Sequence, residues 1–265
     1  MELLEILKRV RNIDKNRIFV PALGVTAENT RVSFEGDGEG APNILFIEPG
    51  VYLLNCDITF YGNNSVVFLR KSHHKHRVNI SIFSHSVIYI GEDNYFNPHG
   101  NVYMMASEEQ NILIGDNGLF SWGVWMRTSD AHGVYDCIQG KRLNNGRSVL
   151  VGNHVWLGQE SLVLKGAQIG SGCIVGARSV VTGHRFAPNS SLAGNPAKTI
   201  REGVFFAKRC LHRYGEEEVY SHSEEKVLFS REDDDKLWNV NHTMRQVKDA
   251  GERLEILQRD MLDAL

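Results

Sequence analysis

From residue 149 onward the apolar positions recur every six residues. Val151, Leu157, Val163, Ile169, Val175 and Val181 make one uniformly aliphatic column, and the positions two places earlier, Val149, Val155, Ser161, Ala167, Cys173 and Ser179, make a smaller one. An α-helix would repeat its apolar face about every 3.6 residues and an unbroken strand about every 2, so neither explains the pattern. A period of six with branched side chains predicts short flat strands joined by turns. Three such units close one triangular coil, with the aliphatic column pointing into the prism. Glycine follows the aliphatic residue at Gly152, Gly158, Gly170 and Gly176, which suits a turn needing positive φ or a close backbone approach. A β-sandwich predicts no such repeat.

Upstream, from about Asn43 to Asp130, the pattern is noisier. Its β-rich runs are NILFI, SVVFL, NISIF, SVIYI, NVYMM and NILIG, with further aliphatic-glycine pairs at Ile90-Gly91 and Ile114-Gly115. These read as less regular coils of the same prism. Residues 1–12 read as a short amphipathic helix, and EGDGEGAP at 35–42 as a surface loop before the first coil. The expected organisation is therefore an N-terminal helix and loop over 1–42, an all-β parallel prism over 43–201 and a charged helical extension over 202–265. In that extension Met244, Val247, Leu254, Leu257, Met261 and Leu265 form one helical stripe, expected to pack on the prism itself or on a sister subunit.

The chain has 265 residues, enough for one sizeable domain with an appendage. The net charge of −3 and a pI near 6.4 do not point to a nucleic-acid partner. The extension carries 10 basic and 15 acidic residues, leaving the first 201 residues at +2. No run of about 18 apolar residues spans a bilayer, and the N-terminus mixes Leu and Ile with charges, unlike a signal peptide. A cytoplasmic protein is expected. Cys56, Cys137, Cys173 and Cys210 form no CxxC pair, so they read as free thiols rather than a zinc site or disulfide framework.

Residues 151–203 combine a Val-Trp-Leu-Gly unit, a Gly-Ala-x-Ser-Val-Val-Thr unit and a closing Gly-Asn-Pro-Ala-Lys. In that order they resemble the C-terminal coils of the hexapeptide-repeat acetyltransferases, the group that includes galactoside, maltose and capsular polysaccharide O-acetyltransferases. Weaker similarity reaches back to about Ile90. The resemblance implies a left-handed parallel β-helix, a homotrimer with active sites between subunits, and acetyl-CoA as the acetyl donor.

Transfer of an acetyl group from a thioester to a hydroxyl needs a base for the hydroxyl proton, and a neutral imidazole near pH 7 suits that task. Among eleven histidines, His132 lies in RTSDAHGVYD, just before a stretch, GVYDCIQGKRLNNGR, that interrupts the repeat. By resemblance His132 is the general base and Trp156 the tryptophan of the donor channel, whose indole N–H orients the thioester or stabilises the oxyanion. The alternatives are a histidine that satisfies a turn and a tryptophan that packs between subunits. Asp130 or a backbone carbonyl could hold the His132 ring, although Asp130 also reads as a turn former.

The resemblance also places Gln159, Gly176, Ala177 and Thr182 along the pantetheine arm of the donor and Lys198 and Arg201 near its phosphates. These two cations could instead be solvated charges at the end of the prism. Where many relatives have lysine after Val-Val-Thr, this chain has Gly183, His184 and Arg185, so that phosphate contact is lost or passes to Arg185. Asn101, with Asn97 close by, is the candidate amide of the acceptor pocket. Trp122 and Trp125 are candidate stacking faces for a sugar ring, and Lys141 and Arg142 candidate partners of an acidic sugar, against their reading as core or solvent residues. TSDAH followed by GKRLN is similar to O-acetyltransferases of capsular or surface glycans, polysialic acid included.

The expected function is direct acetyl transfer to a carbohydrate hydroxyl, with no nucleophile motif for a covalent intermediate and no metal. N-acetylation of an amino sugar or nucleotide sugar is the alternative. A metal-dependent β-helix enzyme, with ligands among His73, His74 and His76 or His85 and His99, is a more distant one.

Overall fold

In the computed structural model, which describes residue 7 and residues 13–20, 24–36, 40–212 and 226–262, the chain winds into a three-faced prism of stacked coils. The first face is one parallel sheet of eight strands: Arg17–Phe19, Ile44–Ile47, Val66–Leu69, Val87–Ile90, Ile112–Ile114, Val149–Val151, Gln168–Ile169 and Arg185–Phe186. The third face is a parallel sheet of seven, running from Arg31–Phe34 through Trp125–Arg127 to Val180–Val181. Along the second face, Tyr95–Phe96, Leu119–Phe120, Trp156–Leu157, Ile174–Val175 and Ser190–Gly194 are parallel, and Ala197–Glu202 closes it antiparallel. The fold is the left-handed parallel β-helix with a helical C-terminal extension.

The period of six works as expected in the regular coils. Leu157 pairs with Phe120 on one side and Val175 on the other, and Val175 with Leu192, so each inward side chain stacks on its counterpart one coil away. Both columns point inward and are buried, while the residues between them, such as Trp156 and Leu162, face out. The glycines serve close approach. A Cβ on Gly152 would lie 2.5 Å from the Ser171 nitrogen, and one on Gly158 2.6 Å from the Ala177 nitrogen. Positive φ falls two residues later, at His154, Glu160, Gly172 and Arg178.

All six upstream β-rich runs are strands. The prism begins earlier than Asn43, however, because Arg17–Phe19 pairs with Ile44–Phe46 and Arg31–Phe34 with Asp57–Phe60. The glycine-rich stretch around residue 40 joins two coils rather than preceding the first. The helix expected over residues 1–12 lies outside the described residues, apart from Leu7, which is buried in the core.

The extension forms two helices, α1 (Arg231–Met244) and α2 (Ala250–Met261), rather than one stripe. The Asp249 side chain accepts from the Gly251 and Glu252 nitrogens, starting a new helix and leaving Val247 between the two; Leu265 lies outside the described residues. Leu237, Val240 and Met244 of α1 and Leu254, Leu257 and Met261 of α2 cover the outer side of the first face at Ile44, Val66, Phe68, Val87, Tyr89, Leu113 and Leu150. Polar pins fix the contact. Asn111 donates to Asn241, Arg70 to the Met261 carbonyl, and Ser171, through its backbone N–H and its hydroxyl, to Asp234. Between Glu202 and α1 the chain first runs back along the corner of the first and second faces, where Phe206 stacks on His154 and Lys208 reaches the Asp93 carbonyl. Among the described residues no helix is long and apolar enough to cross a membrane.

Candidate active site

The candidate residues separate into two sets. Trp156 projects from the second face, 37% exposed, with Phe206 5.7 Å away between ring centres. Lys198 and Arg201 are exposed on the closing strand of that face, in register with Ala193 and Ser191. Gln159, Gly176 and Ala177 occupy the adjoining corner between the second and third faces, as do Asn101 and half-buried Trp122.

The other set lies where the third face turns into the first. His132 belongs to the excursion between Trp125–Arg127 and Val149–Val151, and Thr182 follows Val180–Val181 at the same corner. In a triangular prism that corner lies across from the second face. One chain therefore does not bring His132 and Trp156 together.

The base of the His132 excursion is anchored on both sides. The Asn144 side-chain amide donates to Asp130 Oδ2 at 2.8 Å and to the His132 carbonyl at 2.8 Å, and Lys165 pairs with Asp130 while donating to the Asn144 carbonyl at 2.9 Å. Across the loop, Arg142 pairs with Glu108 at 2.7 Å, and Gly146 N–H donates to the same carboxylate. Lys165 holds the Asp130 carboxyl below the usual carboxylate range, and Arg142 does the same for Glu108. The His132 side chain is exposed, and its ring has no hydrogen-bond partner among the described residues. Beyond the anchors the loop exposes Val134, Tyr135, Leu143 and Ile138, the last at 90%.

Several residues have partners that the sequence did not disclose. Asp130 is taken by Lys165 and Asn144 and does not orient the His132 ring. Asn101 donates to the Asn55 carbonyl and to Asn79, both at 2.7 Å, so its amide braces a corner of the prism. Arg142 is spent on Glu108, whereas Lys141 is exposed. Arg185 lies on the first face, 3.2 Å from Asp235 and over the Trp238 ring, away from Lys198 and Arg201. Trp125 faces outward on the third face, stacked on Tyr103 at 4.5 Å and in register with Leu162. Lys165 and Asn144 belong to no motif of their own in the sequence. Pairing Met126 with Val163 by the repeat would have placed Lys165 near Asp130.

The clustered histidines do not converge. His73 pairs with Asp93, His74 packs edge-on against Tyr95, and His76 is buried inside the prism with neither ring nitrogen bonded. Among the described residues no group of three His, Cys, Asp or Glu side chains is arranged to hold a metal ion. Cys56 and Cys173 are buried and Cys137 and Cys210 exposed, all as free thiols.

Residues 148–183 match the family described as bacterial transferase hexapeptide (six repeats). The polysialic acid O-acetyltransferase of Neisseria meningitidis is 29% identical over 173 residues, spanning 65% of this chain and 79% of the relative. The solved polysialic acid O-acetyltransferase OatWY superposes with a TM-score of 0.65 at 26% identity, over 76% of this chain and 91% of that one. The polySia-specific acetyltransferase NeuO gives 0.64 at 27%, over 73% and 86%. The coil geometry, the repeat and these likenesses agree on a left-handed parallel β-helix similar to that of the hexapeptide-repeat O-acetyltransferases.

Proposed function

We propose that the chain transfers acetyl from acetyl-CoA to a hydroxyl of an acidic surface polysaccharide, acting in the cytoplasm as a homotrimer whose sites lie between subunits. The observation that carries the reading is the placement of His132: an exposed imidazole whose ring has no hydrogen-bond partner among the described residues, on a loop whose base is fixed by Lys165, Asn144 and Glu108. Polysialic acid O-acetyltransferases among the relatives support the acceptor class. The apolar side chains exposed on the loop need covering, and a second copy does so while bringing its own Trp156 face toward this corner.

In this reading the acceptor hydroxyl gives its proton to the His132 imidazole as its oxygen attacks the thioester carbonyl carbon. When the tetrahedral intermediate collapses, the C–S bond breaks and the imidazolium returns the proton to the leaving thiolate. Trp156 of the partner subunit lines the donor side, with Gln159, Gly176 and Ala177 along its groove and Lys198 and Arg201 at its end. Trp125, Lys141 and half-buried Trp122 face the acceptor.

Incubation with acetyl-CoA and a panel of acidic and neutral glycans tests this, reading free thiol and product mass. Glycan-dependent thiol release with an acetyl increment that mild alkali removes is expected. An alkali-stable increment would make the enzyme an N-acetyltransferase, and no transfer to any glycan would remove the acceptor class.

A further inference from the structure

Arg147 stands at the corner that carries His132, two residues before the strand Val149–Val151 that follows the excursion. Its guanidinium lies over two successive coils. A Cβ on Gly166 would be 2.8 Å from Arg147 Nε and Cζ, and one on Gly183 would be 2.3 Å from Nη2 and 2.8 Å from Cζ. Gly166 has φ +79° and needs glycine for its backbone as well. Gly183 has no such requirement, and the three atoms nearest a Cβ there all belong to the Arg147 guanidinium. The missing side chain at 183 is thus the room in which the guanidinium sits.

Neighbouring cations at this corner are committed: Lys165 to Asp130, Arg142 to Glu108, and Arg127 to the Ser129 carbonyl. Arg147 is exposed, and its side chain has no ion pair or hydrogen bond among the described residues. A guanidinium oriented by packing but left unneutralised is suited to bidentate capture of an oxyanion, because the usual cost of ordering the side chain has been met in the free protein.

We propose that Arg147, seated on Gly166 and Gly183, binds an anionic oxygen group of a substrate, either a phosphate of the CoA donor or a carboxylate of an acidic acceptor. The assignment rests on reading the His132 corner as the acetyl-transfer site. It also supplies the cation that the sequence left to Arg185, which the structure commits to Asp235 and Trp238.

Calorimetric titration of the full-length protein with CoA, 3′-dephospho-CoA and a sialic acid oligomer tests it without requiring turnover. Arg147→Ala is expected to weaken at least one of these about tenfold, the scale of a lost charge-assisted contact. Arg147→Lys should recover part of that loss. Gly183→Ala keeps fold and charge while its methyl takes the room in which the guanidinium sits, so it should weaken the same probe. The control Arg259→Ala, on the outer helix, should change nothing. Loss confined to CoA identifies the 3′-phosphate, loss with both nucleotides the diphosphate, and loss with the oligomer the acceptor carboxylate. Unchanged affinity for all three probes in Arg147→Ala and Gly183→Ala, or no binding of any probe by the native protein, would overturn the proposal. An Arg147-dependent affinity in a protein that transfers no acetyl would leave the anion site standing and reject the acetyl-transfer reading alone.

Discussion

The first face of the prism and the corner opposite the second face are built from the same coils but serve opposite ends. On the first face, Val66–Leu69 and Val87–Ile90 are buried at all four positions, because the core takes one side and α1 and α2 take the other. On the third face, Val78–Ile82 and Val102–Ala106 alternate buried and half-buried positions, and the neighbouring corner carries an exposed loop with the exposed imidazole of His132. A face sealed by its own chain acts as scaffold. In the proposed reading, the faces left open are where substrate and a second copy have access.

Four changes would break or sharpen that division. His132→Ala should lower the acetyl-transfer rate by about a hundred- to ten-thousand-fold, the usual contribution of a general base, with the urea unfolding midpoint unmoved because the ring makes no hydrogen bond among the described residues. Phe68→Ala, under α1 and α2, should do the reverse, costing about 3–5 kcal/mol in urea unfolding while the folded fraction keeps its turnover. If Phe68→Ala left stability intact, the helix-covered face would not be the scaffold.

The third change concerns His76, buried with both ring nitrogens unbonded and its pKa pushed down to about 4, chiefly by that burial. Because the unfolded imidazole titrates near 6.5, the unfolded state binds more protons between those two values. Stability is therefore complete above about pH 6.5 and falls by about 3 kcal/mol as pH drops to 4. Thermal unfolding of His76→Leu across this window should show a flatter acid limb, and an unchanged limb would assign the acid sensitivity elsewhere. Smallest is the contrast between two glycines. Gly158→Ala pushes a methyl onto the Ala177 backbone and should cost about 1–3 kcal/mol in urea unfolding, whereas Gly183→Ala meets only a movable guanidinium and should cost little.

The regular coils were legible in the sequence because every sixth residue had to fill the same prism position, so Val151 through Val181 announced themselves. The runs SVVFL and SVIYI were legible as strands for a different reason, being apolar on both sides. What covered their outer side was not, since a strand's composition does not say which helix lies on it. The first coil was hidden because its strands at 17–34 lack the aliphatic-glycine signature. At the site, His132 and Trp156 were legible as candidates. The ties of Asp130 to Lys165, of Arg142 to Glu108 and of Asn101 to Asn55 and Asn79 join residues on different coils, which a single linear pattern does not display.

The central claim is that acetyl transfer needs the His132 corner of one copy and the Trp156 face of another. Mixing His132→Ala with Trp156→Ala, each expected to be nearly inactive alone, and allowing the subunits to exchange tests it directly. Random reassembly pairs an intact His132 with an intact Trp156 at about one interface in four, so recovery of about a quarter of native activity is predicted. Demonstrated exchange with no recovered activity would contradict the account.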